Sequence, residues 1–424
     1  MSGREPRLFW RALGCLALAG AVFVLVYGAC NRFTATRSDV GSCYFEWERS
    51  LPFVPWLIIP YWSLDLFFCG AFFLCRNRAE LRLLTLRLVA VVLGSAVCFL
   101  IFPMRFGWER PEPQGWTEFL FRALYANDQP YNLAPSLHIS LRSLVWVVYG
   151  ARLRGWLRTT TKVWFILIGV STLLVWQHHL LDIATGFMMG WFIQAIIPAT
   201  PRRTVRATPA HRKIAIIIGS LAFLFAALAT MGGGWLWFGW FAVAFGLIAL
   251  AYVRRDPRIL CKENGTLSPA AEWCLLPWML IARAVQHRWL KGPPSREIAP
   301  GILLGRRHTA HEAAELCAKE PLAVLDLTAE GNAPTAFREH AKYRNLALLD
   351  MVPPDAANVR EALDFIREKH TTHTVLIHCQ LGRLRSATVA AAWLADSGAA
   401  PNYAAAVEFL RTIDPNICPA EAIE

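Results

Sequence analysis

The sequence predicts a polytopic α-helical membrane domain of about eight spans, followed by a smaller cytoplasmic α/β domain. Three observations carry this. With 55% hydrophobic residues, 18 tryptophans and only 17% charged residues among 424, the chain is too apolar for an ordinary soluble protein. Apolar runs recur through its first 250 or so residues, and basic residues cluster in alternate gaps between them. After Lys262 the hydropathy falls and the pattern changes to short apolar strands alternating with helical periodicity.

The apolar runs approach the roughly 20 residues needed to cross a bilayer. They lie at 8–29, 53–75, 88–103, 137–151, 163–177, 181–199, 214–231 and 235–253. The net charge of +12 is spread over the gaps and forms no single basic face, so it reports orientation and excludes a nucleic-acid partner. Arg4 and Arg7 precede the first run and Arg11 stands in its first turn. Arg76, Arg78, Arg82 and Arg87 follow the second, and Arg152, Arg154, Arg158 and Lys162 the fourth. Arg202, Arg203, Arg206, Arg212 and Lys213 follow the sixth, and Arg254, Arg255, Arg258 and Lys262 the eighth. All fall on one side, so both termini are expected in the cytoplasm of a multi-pass protein of the bacterial inner-membrane type. In the first outer loop, Arg32, Arg37 and Arg49 are balanced by Asp39, Glu46 and Glu48. The first run is expected to be retained as a span and not cleaved as a signal peptide, since it is long and Tyr27 is a poor residue ahead of Cys30.

The 11 cysteines are scattered without a CxxC pair, which argues against a disulfide framework or a structural zinc. Residues 270–291, with Trp273, Trp278 and Trp289, an internal Pro277 and a basic end, hold an apolar stretch of only about 14 residues, short for a span, and read as an interfacial helix. "KGPPS" is a linker. The expected domains are therefore 1–255, a bridging segment 256–295, and an α/β domain 296–424. In the last, "GILLG", "LAVLDL" and "TVLIHC" read as strands, while 356–369 and "SATVAAAWLADSG" read as helices. Cys379 then stands where a strand ends and a helix begins.

Such a junction is an anion site, because loop amides and the positive helix end converge there. A thiolate is stabilised there, as is a phosphate. Arg385 offers a two-pronged donor to phosphate oxygens, Gly382 permits a tight backbone, and Ser386 can hydrogen-bond the sulfur. The residues His378, Cys379, Gly382, Arg385 and Ser386 match HCxxGxxRS, and the segment resembles the cysteine-dependent dual-specificity phosphatases. That resemblance implies Cys379 as nucleophile, a thiophosphate intermediate hydrolysed by water, no metal or cofactor, and a leaving-group acid on a preceding loop. In "YRNLALLDMVPPD" the acid is Asp350, with Asp355 as the substitute. Arg383 adds a second positive charge to the loop, and "CQLGRLRSAT" is similar to the mitochondrial phosphatidylglycerophosphate phosphatases, which implies a lipid phosphate.

The membrane half carries three further clusters: Arg105, Arg110 and Pro111 in "FPMRFGWERPEP"; Ser136 and His138 in "APSLHIS"; and His178, His179 and Asp182 in "STLLVWQHHLLDIATG". The charge rule puts all three on the outer face. Together they resemble the type 2 phosphatidic acid phosphatases, whose motifs run KxxxxxxRP, PSGH and SRxxxxxHxxxD. Pro103 stands at the lysine position, Leu137 replaces the glycine and Thr172 the arginine, departures that resemble the phosphotransferase branch of sphingolipid synthesis. The resemblance implies that His178, polarised by Asp182, attacks phosphorus, that His138 protonates the leaving group, and that Arg105, Arg110 and Ser136 bind phosphate oxygens.

These readings combine into a bifunctional membrane phosphatase acting on phospholipid head-group phosphates. The alternatives are a phosphoprotein phosphatase whose membrane half is an anchor or lipid sensor, and a lipid-binding scaffold with a degenerate outer site.

Overall fold

The structure is a computed structural model that describes residues 8–200, 208–287 and 292–420. Arg4, Arg7, Arg202, Arg203, Arg206, Trp289 and Lys291 lie outside the described residues. By its internal contacts the chain divides into two units, Met1–Ala199 with Ser268–Trp273, and Thr200–Leu267 with Cys274–Glu424.

The first unit is helical throughout. α1 (Leu8–Val22) runs through a π-helical segment, Phe23–Tyr27, into α2 (Gly28–Ala35). Then come α3 (Ile58–Leu74), α4 (Arg78–Ile101), α5 (Glu118–Asn127), α6 (Leu137–Arg152), α7 (Gly155–Leu174) and α8 (Leu180–Ile196). In the second unit the apolar helices are α9 (Pro209–Ala229) and α10 (Phe238–Arg254). All eight apolar runs are thus helical. Six segments are long and apolar enough to cross a membrane, namely Leu8–Ala35, Pro55–Leu74, Arg78–Ile101, Gly155–Leu174, Pro209–Ala229 and Gly233–Arg254, while α6 and α8 are shorter.

Several helices extend past the apolar runs because their charged ends are satisfied locally. α4 begins at the cap Asn77, whose side chain accepts from Glu80 N. Its buried Arg87 donates to Ile197 O at 2.9 Å. Glu80 pairs with Arg152 at the end of α6, and Arg152 Nε also reaches Leu74 O. These bonds join the ends of α3 and α6 to the start of α4, the end that the charge rule assigns to the cytoplasm.

At the other end Val54 N donates to Leu174 O, Arg105 N to Gly41 O, Phe106 N to Pro130 O and Ser136 N to Asp182 O. Small residues let the helices close, as apolar bundles require. A Cβ on Gly186 of α8 would stand 2.6 Å from Ser136 O, and Ser140 Oγ donates to Gly186 O at 2.8 Å.

The second unit continues from α10 into a small antiparallel hairpin, β1 (Lys262–Glu263) and β2 (Thr266–Leu267). α11 (Pro269–His287) carries Pro277 inside it. The α/β part then has β3 (Ser295–Ala299), β4 (Ile302–Gly305), α12 (Ala310–Lys319), β5 (Leu322–Thr328), α13 (Thr335–His340), β6 (Lys342–Leu348), α14 (Ala356–Lys369), β7 (Thr374–His378), α15 (Arg385–Asp396) and α16 (Tyr403–Ile413).

Its sheet runs β3-β4-β7-β5-β6, antiparallel only between β3 and β4. The pleat divides the side chains. Leu325, Leu327, Val375 and Ile377 face α14, α15 and α16, whereas Leu322, Val324 and Leu376 face α12 and α13. β5 up to Leu325 and β7 from Val375 to Ile377, covered on both sides, read as the unbroken apolar runs that parallel strands require. β6, with Lys342, Arg344 and Asn345, does not.

Candidate active sites

β7 is flanked by β4 and β5, and its last residue, His378, delivers the chain into the loop 379–384 before α15 begins at Arg385. The site therefore stands at the carboxyl ends of parallel strands, where open α/β sheets bind ligands. Ser386 Oγ donates to Cys379 Sγ at 3.2 Å, and the thiol is 3% exposed. Gly382 has φ +77°, and a Cβ on it would lie 3.0 Å from the backbone of Gly305. Only glycine satisfies both demands. The loop is tied down on both sides, by Arg307 N to Gln380 O at 3.2 Å and Cys418 N to Arg383 O at 3.0 Å. Arg383 is half-buried and lies near Asp414.

Arg385 is fully buried. Its Nη1 donates to Leu348 O, Leu327 O and Glu330 Oε2, and its Nη2 to Glu330 Oε1 and Asp350 Oδ1, each at 2.7 Å for Nη2. Burial alone would weaken its charge, but Asp350, Glu330 and Cys379 outweigh it and raise its affinity for the proton further. The guanidinium is fixed by the ends of β5 and β6, and Nε has no protein partner.

Asp350 is partly exposed on the loop after β6, where Met351 takes φ +56°. Asp355 is the cap of α14, accepting from Asn358 N at 2.8 Å. Of the two acids that the sequence left open, only Asp350 is brought to Arg385. His378 is buried beneath the loop among His308, Phe337 and Asp326. Burial pushes its imidazolium down, against the pull of Asp326.

Four groups near this site had no catalytic role in the sequence reading: Glu330, Asp326, Tyr252, and Lys262, which was counted only among the basic residues after the eighth run. Lys262 Nζ donates to Asp326 Oδ2 at 2.9 Å, Thr328 O at 2.9 Å and Thr328 Oγ1 at 2.7 Å. Burial would raise the Asp326 carboxyl, but Lys262, His378 and the Tyr343 and Thr328 hydroxyls hold it well below the usual carboxylate range. An acidic residue just past a buried strand, as Glu330 is past β5, was the one available signal.

In the first unit the three polar clusters meet at one end of the bundle. His178 Nδ1 lies 3.6 Å from Asp182 Oδ2, beyond hydrogen-bond distance. His178 is within electrostatic reach of His138, which stacks on Tyr61 with ring centroids 4.2 Å apart. Arg110 Nη1 donates to Asp128 O at 2.9 Å, and Asp128 also accepts from Tyr27 OH at 2.7 Å. Asp182 is more fully engaged with the next residue, accepting from His179 N at 2.7 Å.

His179 in turn is held by Glu48, Nδ1 to Oε2 at 3.2 Å, while its Nε2 accepts from Gly107 N. Glu48, which the sequence placed in a charge-balanced loop, is thus a buried partner. Ser136 is fully buried and caps α6 through Ile139 N. Arg105 is exposed and is tied through its backbone. Among the described residues no group of three or more His, Cys, Asp or Glu could hold a metal ion.

Residues 304–423 match the dual specificity phosphatase catalytic domain. Over 104 residues the chain is 34% identical to dual specificity protein phosphatase 1-A of Xenopus laevis, covering 23% of this chain and 27% of that protein. It is also 34% identical over 100 residues to dual specificity protein phosphatase 1 of Homo sapiens, with the same coverage. The chain thus spans about a quarter of the length of these relatives. Among solved structures, Tk-PTP in its active form aligns at 24% identity and a TM-score of 0.28, over 31% of this chain and 89% of that chain. PTPMT1 in complex with PI(5)P aligns at 20% identity and a TM-score of 0.28, over 30% and 88%. The β7–α15 junction around Cys379 therefore belongs to a dual specificity phosphatase catalytic domain that forms the C-terminal part of this chain.

Proposed function

We propose that this protein is a membrane-embedded phosphatase in which Cys379 hydrolyses phosphomonoesters of lipid head groups on the cytoplasmic side. The observation that carries the chemistry is the alignment of Ser386, Cys379 and the buried Arg385 around a loop that only Gly382 allows to close. The thiolate attacks phosphorus and the P–O bond to the alcohol breaks. Asp350 gives its proton to the departing oxygen. Water then attacks the phosphocysteine, Asp350 takes the water proton, and phosphate and thiolate are regenerated.

In the unliganded site Asp350 occupies Arg385 Nη2. An incoming phosphate competes for that nitrogen, so binding frees the Asp350 carboxylate to take the proton of the monoanionic ester and pass it to the leaving oxygen, while Glu330 keeps the guanidinium in place. The six long apolar helices and the positive charge of Arg383 support a lipid substrate and a cytoplasmic placement near head groups.

In the first unit, His178, His138, Asp182 and Arg110 support a second, histidine-dependent lipid phosphatase or phosphotransferase. A second reading, a membrane-anchored protein phosphatase, is favoured by the names of the relatives above. The test uses full-length protein in detergent with chelator present. Wild type is expected to release phosphate from phosphatidylglycerophosphate faster than from phosphotyrosine peptides, and Cys379→Ser is expected to remove most of this release. Phosphate release undiminished in Cys379→Ser would refute the nucleophile, and a preference for the peptides would favour the protein-phosphatase reading. Lipid-phosphate turnover remaining in Cys379→Ser and lost on adding His178→Ala supports the histidine site. Turnover that persists in the double variant removes it.

A further inference from the structure

We infer that Tyr252 and Lys262, which precede the family-matched segment, are positioning residues of the cysteine phosphatase site, Tyr252 for the acid Asp350 and Lys262 for the pocket that holds Arg385. The inference rests on the Cys379 and Asp350 reading above. Tyr252 is in the last turn of α10, is 6% exposed, and donates its hydroxyl to the main-chain oxygen of Asp350 at 2.8 Å. A buried phenol needs such a partner, and here the partner is the backbone of the acid itself. The Asp350 carboxyl accepts from Arg385 Nη2 at 2.7 Å and from Met351 N at 2.9 Å, and the Tyr252 bond fixes the backbone from which that carboxyl projects.

Lys262 enters from the hairpin that follows α10. Its side chain is 1% exposed, and all three of its bonds go to Asp326 and Thr328 at the carboxyl end of β5. Leu327 O and Glu330, on either side of Thr328, are two of the groups that grip Arg385. The hairpin holds the same stretch at two more points, with Ala333 N donating to Gly265 O at 2.7 Å and Leu267 N to Asn332 Oδ1 at 2.6 Å. Gly265 itself has φ +77° and no room for a side chain beside Tyr343. The strap from 252 to 267 thus touches both the acid loop and the arginine loop.

A purely structural strap and a positioning strap differ in leaving-group dependence, because an acid matters most when the departing oxygen is a poor leaving group. The experiment measures kcat and KM of the full-length protein in detergent on p-nitrophenyl phosphate and on phenyl phosphate, after subtracting the rate of Cys379→Ser. Asp350→Asn sets the reference, with an expected loss of about 100-fold on phenyl phosphate and a much smaller one on p-nitrophenyl phosphate. Tyr252→Phe is expected to lose about tenfold in kcat on phenyl phosphate, with KM unchanged and p-nitrophenyl phosphate turnover within about twofold. Lys262→Met is expected instead to raise KM for both esters and weaken inhibition by vanadate.

Equal losses on the two esters in Tyr252→Phe, or none, would overturn the acid-positioning role whether or not Lys262→Met folds. An unchanged KM and vanadate inhibition in a folded Lys262→Met protein would overturn the role of Lys262. If Asp350→Asn shows no leaving-group dependence, the acid assignment itself fails and the inference falls with it.

Discussion

Asp350 and Asp355 show how one residue type takes two roles five positions apart. Asp355 spends its carboxylate on Asn358 N at the start of α14, while Asp350 points at Arg385. Asp355→Ala is accordingly expected to cost about 1 kcal/mol of stability and to leave the leaving-group dependence intact. Thermal melting together with the two aryl phosphates separates the two effects, and a collapse of phenyl phosphate turnover in Asp355→Ala would reverse the assignment. The outer cluster holds a parallel pair. His178 and His179 are adjacent, yet His179 is locked between Glu48 and Gly107, whereas His178 Nδ1 has no hydrogen-bond partner. Sequence could not separate them by burial, because the partner Glu48 lies in a loop far earlier in the chain.

At the level of elements, the β7–loop–α15 unit was legible because its demands are local. An apolar strand, a glycine where φ must be positive and a small-residue helix leave few other foldings. Gly382→Ala tests this. Left-handed backbone and the approach to Gly305 together should destabilise the domain by about 2 kcal/mol and abolish Cys379-dependent turnover, measured as the melting temperature and the initial rate. A stable, active variant would show that the loop has slack. β6 was missed because Lys342, Arg344 and Asn345 break the apolar run. β3, α12, α13 and α16 were passed over for similar reasons, being short and partly polar. In the structure α12 opens on a capping box of Thr309 and Glu312, which the sequence reading did not use. The apolar helices were found but trimmed at their charged ends, since hydropathy falls at Arg78–Arg87 while the helix continues wherever Glu80 and Arg87 find partners.

At the scale of the whole molecule, a catalytic fragment beginning at 296 would lack Lys262 and leave Asp326 without its cation in a fully buried site. Removing one partner of such a pair costs about 3–5 kcal/mol, so the fragment is expected to melt well below a version that starts at 256. Denaturant unfolding of the two fragments would measure the difference, and equal midpoints would sink the idea. The pH dependence follows from the same group. Because Lys262 and its neighbours hold Asp326 below its ordinary value, its contribution is complete above about pH 4 and is lost as the pH falls through the depressed value. By itself the sequence determined the apolar helices, their basic ends, and the strand–loop–helix that carries Cys379, Gly382 and Arg385, since each depends on neighbours within a few residues. Only the tertiary structure decided which acid meets Arg385, that Glu330 shares it, and that Lys262 and Tyr252 reach the same site. Those pairings join residues tens of positions apart, and no local pattern records the burial that makes each partner necessary.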